Sequence, residues 1–360
     1  MYKRQIEGAG ANRNLIVTGG SGSGKSFFLQ YVLASLLEKY GDRIFQMIVE
    51  AGWSYRRFVQ AAGGEVVRVG VPGSPALDPI VGVRPDDEAS VLQYATMLAQ
   101  MARLGGAQLP ESRLYDLVNE FFSRYGHGES VRTADFIEAM GLDEAFRTAR
   151  DMLRHYVFAE RCYVPRGRLC FIELPPSLVA AQGESDPWSE TIRSIVIRSI
   201  FSTFFARVFD PSVSYKILVA DEVWSLLRAR DGRGYFDYAN RAFRKHGAGL
   251  WVASQSMADF LRVDDPAFAR AFVSNAYYKV LFQQTYSEPI AWVLETGGAP
   301  GVTPEDFWRA MAIGSSPGRY SEALLIEGTS ARIVRLVVHP ELYALFQTSQ
   351  PEVAPSGLAA

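Results

Sequence analysis

Cysteine is nearly missing: Cys162 and Cys170 are the only two in 360 residues. One pair gives a chain of this length no disulfide framework, and no CxxC or His-rich spacing suggests zinc, so a reducing, cytosolic setting fits. An excess of one charge is missing too. The 37 basic and 39 acidic residues leave a formal net charge of −2, so there is no global pull toward polyanions and any nucleic-acid contact needs a local patch. No apolar run approaches the ~20 residues of a membrane span, and the opening "MYKRQIEGAGANRN" lacks the apolar centre of a signal peptide. Membrane contact is therefore expected through a partner or through a segment outside this sequence. What is present, 48% hydrophobic and 21% charged, reads as globular and soluble: one large α/β domain, or one carrying an insertion.

Apolar runs alternate with amphipathic segments from Leu15 to about Pro79: strand Leu15–Thr18, helix Phe27–Tyr40 closed by Gly41, strand Ile44–Glu50 and strand Glu65–Val69. That alternation predicts a parallel sheet with helices on its faces. From about Arg84 to Arg161 the pattern turns helical with no strand candidate, an expected all-α insertion over residues 84–161. Strands return at Leu169–Leu174, Lys216–Ala220, Gly249–Ala253 and Tyr278–Phe282, with helices such as Glu190–Phe209 and Tyr235–His246 between them, so residues 162–348 are expected to complete the sheet begun in residues 1–83. A hairpin and short helix follow in "SEALLIEG" and "ARIVRLVVHPELYALF", and residues 349–360 have the composition of a disordered tail. The aromatics of Leu114–Tyr125 and Ile192–Phe209 fall among Leu, Ile and Val at core spacing, which favours packing over base stacking.

Chemistry concentrates at three strand ends. Gly19 to Ser26, "GGSGSGKS", follows a strand, opens a helix and satisfies GxxxxGK[ST]. Gly20, Ser21, Gly22, Ser23, Gly24, Lys25, Ser26 and Phe27 are the expected nucleotide-binding run. Glycines let successive amides turn toward phosphates, Lys25 can reach the β/γ oxygens, and Ser26 can ligate Mg²⁺. The apolar strand in "YKILVADEVWSLL" ends in Asp221-Glu222. Asp221 is suited to hold Mg²⁺ through water and Glu222 to polarise an attacking water. Strand Gly249–Ala253 delivers Ser254-Gln255-Ser256 to the sheet's C-terminal edge, where Gln255 can contact a γ-phosphate or the lytic water. Upstream, Arg241, Arg244 and Lys245 form a basic cluster at helical spacing, either a solvated face or a source of an arginine finger for a neighbouring subunit, with Arg244 the leading candidate and Arg319 a second.

The stretches "GGSGSGKSFF", "EAGWSYRRFVQAAGGEVVRV", "LDPI", "ILVADEVWSLL", "FRKHGAGLWVASQSMADFL", "SNAYYKVLFQQ" and "GRYSEALLI" occur in the order found in the TraC/VirB-type traffic ATPases that energise conjugation and type IV secretion. From about Asn12 to Glu352 the chain resembles that family's C-terminal motor domain. The first strand begins a few residues after Met1, so an excised domain without the channel-docking N-terminal part is expected. Lys25 and Ser26 match the family's phosphate loop, Asp221 and Glu222 its Walker B acids, Gln255 its sensor-strand glutamine, and Arg244-Lys245 its Arg-Lys pair. Two positions depart: Glu50 stands where the family usually has Asp, and Asp78-Pro79-Ile80 where it usually has Asn-Pro-Phe.

The resemblance implies a RecA-like P-loop NTPase fold with the sensor strand between the P-loop and Walker B strands. It also implies ATP and Mg²⁺ as ligands, and a hexamer in the working form, with the isolated domain able to exist as a monomer. Partners at the bacterial inner membrane, reached from the cytoplasm through the secretion apparatus, follow from the same likeness. Two other readings stand beside this one. DNA pumps, namely TraD-type coupling proteins and FtsK- or HerA-like translocases, share the same motifs and would bring direct DNA contact. A nucleotide-locked scaffold has no need of Glu222. ABC transporters are disfavoured because no LSGGQ-like run precedes Asp221.

Overall fold

In the computed structural model, residues 13–126, 131–179, 187–222, 243, 245–256, 273–283, 303, 305, 314–316 and 319–346 are described. Their strands form one ten-stranded sheet in the order β10-β9-β7-β1-β6-β5-β2-β4-β3, with β8 on β9. The strands are β1 Leu15–Thr18, β2 Ile44–Glu50, β3 Glu65–Arg68, β4 Leu169–Glu173, β5 Tyr215–Asp221, β6 Ala248–Ser254, β7 Tyr278–Leu281, β8 Ser315–Ser316, β9 Tyr320–Glu327 and β10 Ser330–Leu336. Seven of them, β7 to β3 along that order, run parallel, and the β8-β9-β10 edge is antiparallel. The sheet is thus mostly parallel, and β6 lies between β1 and β5, as the resemblance implies.

The central strands read as near-continuous apolar runs because both of their faces are covered. Along β2, Phe45, Met47 and Val49 enter one core and Ile44 and Ile48 the other. Between them Gln46 is buried, and its amide donates to the Leu33 carbonyl at 3.0 Å. One face is closed by the helix Pro187–Val208 (α8), through Val196, Ile200 and Phe204. The opposite face is closed by the helix Lys25–Tyr40 (α1), whose Phe28, Leu29, Val32, Leu33, Leu36 and Leu37 recur at helical spacing. Gly41, at φ 56°, ends α1 where a side chain would be strained. A short helix, Arg56–Ala61 (α2), follows β2 on the α1 side.

Among the described residues, four α-helices lie between β3 and β4: α3 Glu88–Leu104, α4 Glu111–Tyr125, α5 Thr133–Ala139 and α6 Asp143–Met152. They enclose a core of their own, built on Tyr94, Leu98, Leu114, Phe121, Phe136 and Phe146 and joined by Ile195 of α8. Asp87 caps α3 by accepting from the Ala89 amide at 3.1 Å. Asp78 fastens this bundle to the sheet. Its buried carboxylate accepts from the Ile80 amide at 3.1 Å, from the Thr133 amide at 2.9 Å and from the Thr133 hydroxyl, which joins the loop after β3 to the first turn of α5. Nearby, a Cβ on Gly82 would overlap the Ser202 carbonyl, so only glycine lets this loop lie against α8. The helices α7 Pro176–Val179 and α9 Pro340–Phe346 complete the described elements. No helix among the described residues is long and apolar enough to cross a membrane.

Candidate functional site

The C-terminal ends of the parallel strands meet along one edge, the usual place for ligands in an open α/β sheet. Register sets the row. Asp221 of β5 lies beside Glu50 of β2, Glu50 beside Glu173 of β4, and Asp221 on its other side beside Ala253 of β6. Thr18, which ends β1, pairs with Ser254. The phosphate loop therefore leaves the sheet two strands away from Asp221, with the sensor strand between them.

The loop is shaped by glycine. Gly22 (φ 74°) and Gly24 (φ 103°) adopt left-handed backbone, and a Cβ on Gly24 would come within 2.7 Å of the Ser321 hydroxyl oxygen. The Gly20 amide donates to the Gln283 carbonyl and the Ser23 amide to the Gly20 carbonyl, both at 3.1 Å. No side chain caps α1 at Gly24, so the helix N-terminus presents its amides and its positive dipole end where an anion is favoured. Ser21 and Gly22 are exposed. Phe27 turns its ring away onto α9, 5.4 Å from the ring of Tyr343 and 5.7 Å from that of Phe346, so its contribution to the loop is its backbone.

Lys25 is 6% exposed, with Nζ donating to the Gly19 carbonyl at 2.8 Å and lying 3.5 Å from Glu222 Oε1. Glu222 has φ 54°, the one positive φ at a non-glycine residue among those described. Its amide still bonds the Ala253 carbonyl at 3.1 Å. Left-handed backbone at a glutamate costs on the order of 1–3 kcal/mol and marks a position held for a purpose. Here it accompanies a carboxylate next to the loop lysine. Gln255 follows β6 directly and is exposed. Arg241 and Arg244 lie outside the described residues, as do most of the predicted helix Tyr235–His246 and residues 349–360. Arg319 is exposed on the turn between β8 and β9, two residues before the Ser321 that approaches Gly24.

Ser26 and Asp221, separated by 195 positions in the chain, are in contact: the Ser26 hydroxyl donates to Asp221 Oδ2 at 2.9 Å. Asp221 Oδ1 is buried and has no hydrogen-bond partner among the described residues. A buried carboxylate oxygen with an open lone pair, next to a hydroxyl and a phosphate loop, suits a hard divalent cation. Magnesium is commonly held by one or two protein oxygens with water and phosphate supplying the rest. The residues therefore fit Mg²⁺.

Two further residues meet here that the motifs did not assign. Tyr55 is fully buried and its hydroxyl donates to Asp221 Oδ2 at 2.7 Å. Glu50 is buried and accepts from the Ser54 amide at 2.9 Å. Its apolar surroundings, and secondarily the adjacent Asp221, push its pKa up to about 8 despite the bonds from Ser54. Beyond it, Arg56 forms a forked pair with Glu173, Nη2 donating to Oε1 at 2.9 Å and Nε to Oε2 at 3.2 Å. A carboxylate ending a strand that is apolar except for Gln46 is the signal that could have placed Glu50 in the site. Nothing in "AGWSYRRF" marks Tyr55.

Because its folded pKa is raised, Glu50 keeps a proton in the native state that the unfolded chain releases between its ordinary value of 4.5 and about 8. More protons are bound when folded, so stability falls as pH rises through that window, by at most about 1.4 kcal/mol per pH unit from this group. Glu50→Gln removes this contribution. Denaturant unfolding between pH 5.5 and 8 without Mg²⁺ is expected to give a flatter stability profile for the variant, and parallel profiles would show that Glu50 is ionised throughout.

Residues 2–69 match the family model of the TraG P-loop domain. Among solved structures, the chain is similar to VirB4 of Thermoanaerobacter pseudethanolicus, with 16% identity, a TM-score of 0.68, and coverage of 92% of this chain and 91% of that one. It is also similar to the bacterial conjugative coupling protein TrwBΔN70 (13% identity, TM-score 0.55, 91% and 85% covered). A third likeness is to the plasmid coupling protein TrwB in complex with the non-hydrolysable GTP analogue GDPNP (15% identity, TM-score 0.52, 94% and 88% covered). No curated protein sequence matches the chain. The sheet order, the phosphate loop and these likenesses together give the chain a RecA-like P-loop fold of the kind seen in VirB4 and TrwB, with residues 2–69 matching the TraG P-loop domain.

Proposed function

We propose that the chain hydrolyses ATP with Mg²⁺ and is the motor domain of a conjugation or type IV secretion apparatus, working as a hexameric ring. The observation that carries this reading is the convergence of Lys25, Ser26, Asp221 and Glu222 at the mouth of one phosphate loop. A loop that only sensed nucleotide would have no use for a carboxylate poised beside its lysine. The loop amides and Lys25 bind and orient the β- and γ-phosphates. Ser26 and Asp221 would hold Mg²⁺, which neutralises charge on those phosphate oxygens. Glu222 accepts a proton from the attacking water, and Gln255, one residue past the sensor strand, reports the γ-phosphate.

In the ring, Arg244, or Arg319, would supply positive charge to a neighbouring subunit's γ-phosphate. Residues 84–161, an all-α insertion, offer a surface for other secretion-apparatus proteins at the inner membrane, which the motor meets from the cytoplasmic side. Residues 1–83 and 162–348 form the ATPase domain on this reading.

The likeness to a coupling protein, TrwB, supports a second reading, a DNA-translocating motor of the coupling-protein or FtsK/HerA kind. Steady-state ATP hydrolysis with and without single- and double-stranded DNA separates the two. Turnover indifferent to DNA is expected. Strong stimulation by DNA would replace the secretion-energising reading with the translocase.

A further inference from the structure

The turn after β2 reaches across to β5 through one side chain. Tyr55 sits 166 positions from Asp221 in the chain and is 0% exposed, and its hydroxyl oxygen is 2.7 Å from Asp221 Oδ2. Its ring is held by packing, 6.0 Å from that of Phe171 in β4. Its backbone is held by the Val59 amide, which donates to the Tyr55 carbonyl at 2.9 Å and so fixes the residue at the start of α2. On either side the turn is tied down again, by the Ser54 amide on Glu50 Oε2 and by the Arg56 fork on Glu173. A phenol this constrained has lost its rotamer freedom before any ligand arrives, which is what a positioning group requires.

Asp221 Oδ2 receives two donors, the hydroxyls of Ser26 and Tyr55, while Oδ1 receives none among the described residues. We propose that Tyr55 is a positioning residue for Asp221: it anchors Oδ2, so that the carboxylate keeps its orientation and leaves Oδ1 for the nucleotide's divalent cation when Ser26 turns its hydroxyl to that cation. This deepens the ATPase reading and rests on it. The loss of a residue that orients a metal ligand typically weakens metal affinity by about 10- to 100-fold.

Tyr55→Phe removes the hydroxyl and keeps the ring. The test is the affinity of the purified chain for a fluorescent ADP analogue (mant-ADP), measured once with excess Mg²⁺ and once in EDTA, for wild type and variant, with a thermal melt of each. For wild type, Mg²⁺ tightens binding. In Tyr55→Phe, binding with Mg²⁺ weakens by about 10-fold or more, whereas binding in EDTA stays within about 2-fold of wild type. Equal losses in both conditions would make Tyr55 a packing residue and overturn the proposal, as would no loss in either. A wild-type protein that binds mant-ADP no better with Mg²⁺ than without fails at an earlier point, because the Mg-nucleotide reading itself then falls.

Discussion

Lys25→Ala is expected to abolish productive nucleotide binding, weakening ATP affinity by at least about 100-fold. The effect is electrostatic. The Lys25 ammonium is 6% exposed, held at 2.8 Å by the Gly19 carbonyl and 3.5 Å from Glu222, so its position is set before phosphate arrives. Truncating one partner of a buried, hydrogen-bonded charge pair costs about 2–5 kcal/mol, and about 3 kcal/mol corresponds to the 100-fold stated. The loop is expected to survive the change, because its shape is set by Gly22, Gly24 and the amide bonds of Gly20 and Ser23 rather than by the lysine. Equilibrium binding of a fluorescent ATP analogue measures the loss. Affinity within a few-fold of wild type would mean that phosphates bind elsewhere.

Glu222→Gln has the opposite profile: ATP binding persists while turnover falls by about 100-fold or more. Gln is nearly isosteric and keeps a hydrogen-bonding oxygen, but it cannot accept a proton from water, and a positioned general base typically contributes about 10²–10⁴-fold. The backbone supports assigning this role to Glu222 rather than to its neighbour. Asp221 is the last residue of β5, fully buried, with Oδ2 occupied by Ser26 and Tyr55. Glu222, one residue on, adopts φ 54° and is 33% exposed beside Lys25, within reach of solvent. Two adjacent carboxylates are thus separated into a buried group and one within reach of solvent. Single-turnover hydrolysis together with ATP binding reads both quantities. Equal turnover in variant and wild type would remove Glu222 from its role.

How far the chain's letters reveal the site depends on the distance over which each part is determined. The phosphate loop is local: strand, glycines, Lys-Ser and helix are contiguous, and the structure has β1 and α1 on either side of it. Asp221-Glu222 is nearly as plain, an acidic pair at the end of an apolar strand. The placement of β6 between β1 and β5 followed from resemblance, since no local pattern specifies which parallel strand lies beside which. For the same reason Glu50 stood out only as a departure from the family's usual Asp, and Tyr55 was hidden. Their meeting with Asp221 depends on β2 pairing with β5 across about half the chain, in a register that sets Glu50 opposite Asp221. The left-handed backbone of Glu222 was also illegible, because glutamate has no preference for it. Asp78 read as a departure from a familiar motif. In the fold it accepts from Ile80 and Thr133 and ties the helical bundle to the sheet, a role that becomes visible only once α5 is seen beside that loop.

The central claim is that this edge of the sheet hydrolyses ATP. Steady-state phosphate release by the purified chain, in excess Mg²⁺ and in EDTA, with Glu222→Gln as the blank, tests it most directly. The account predicts release that requires Mg²⁺ and disappears in Glu222→Gln. Release that is the same in EDTA, or that Glu222→Gln retains in full, would contradict it.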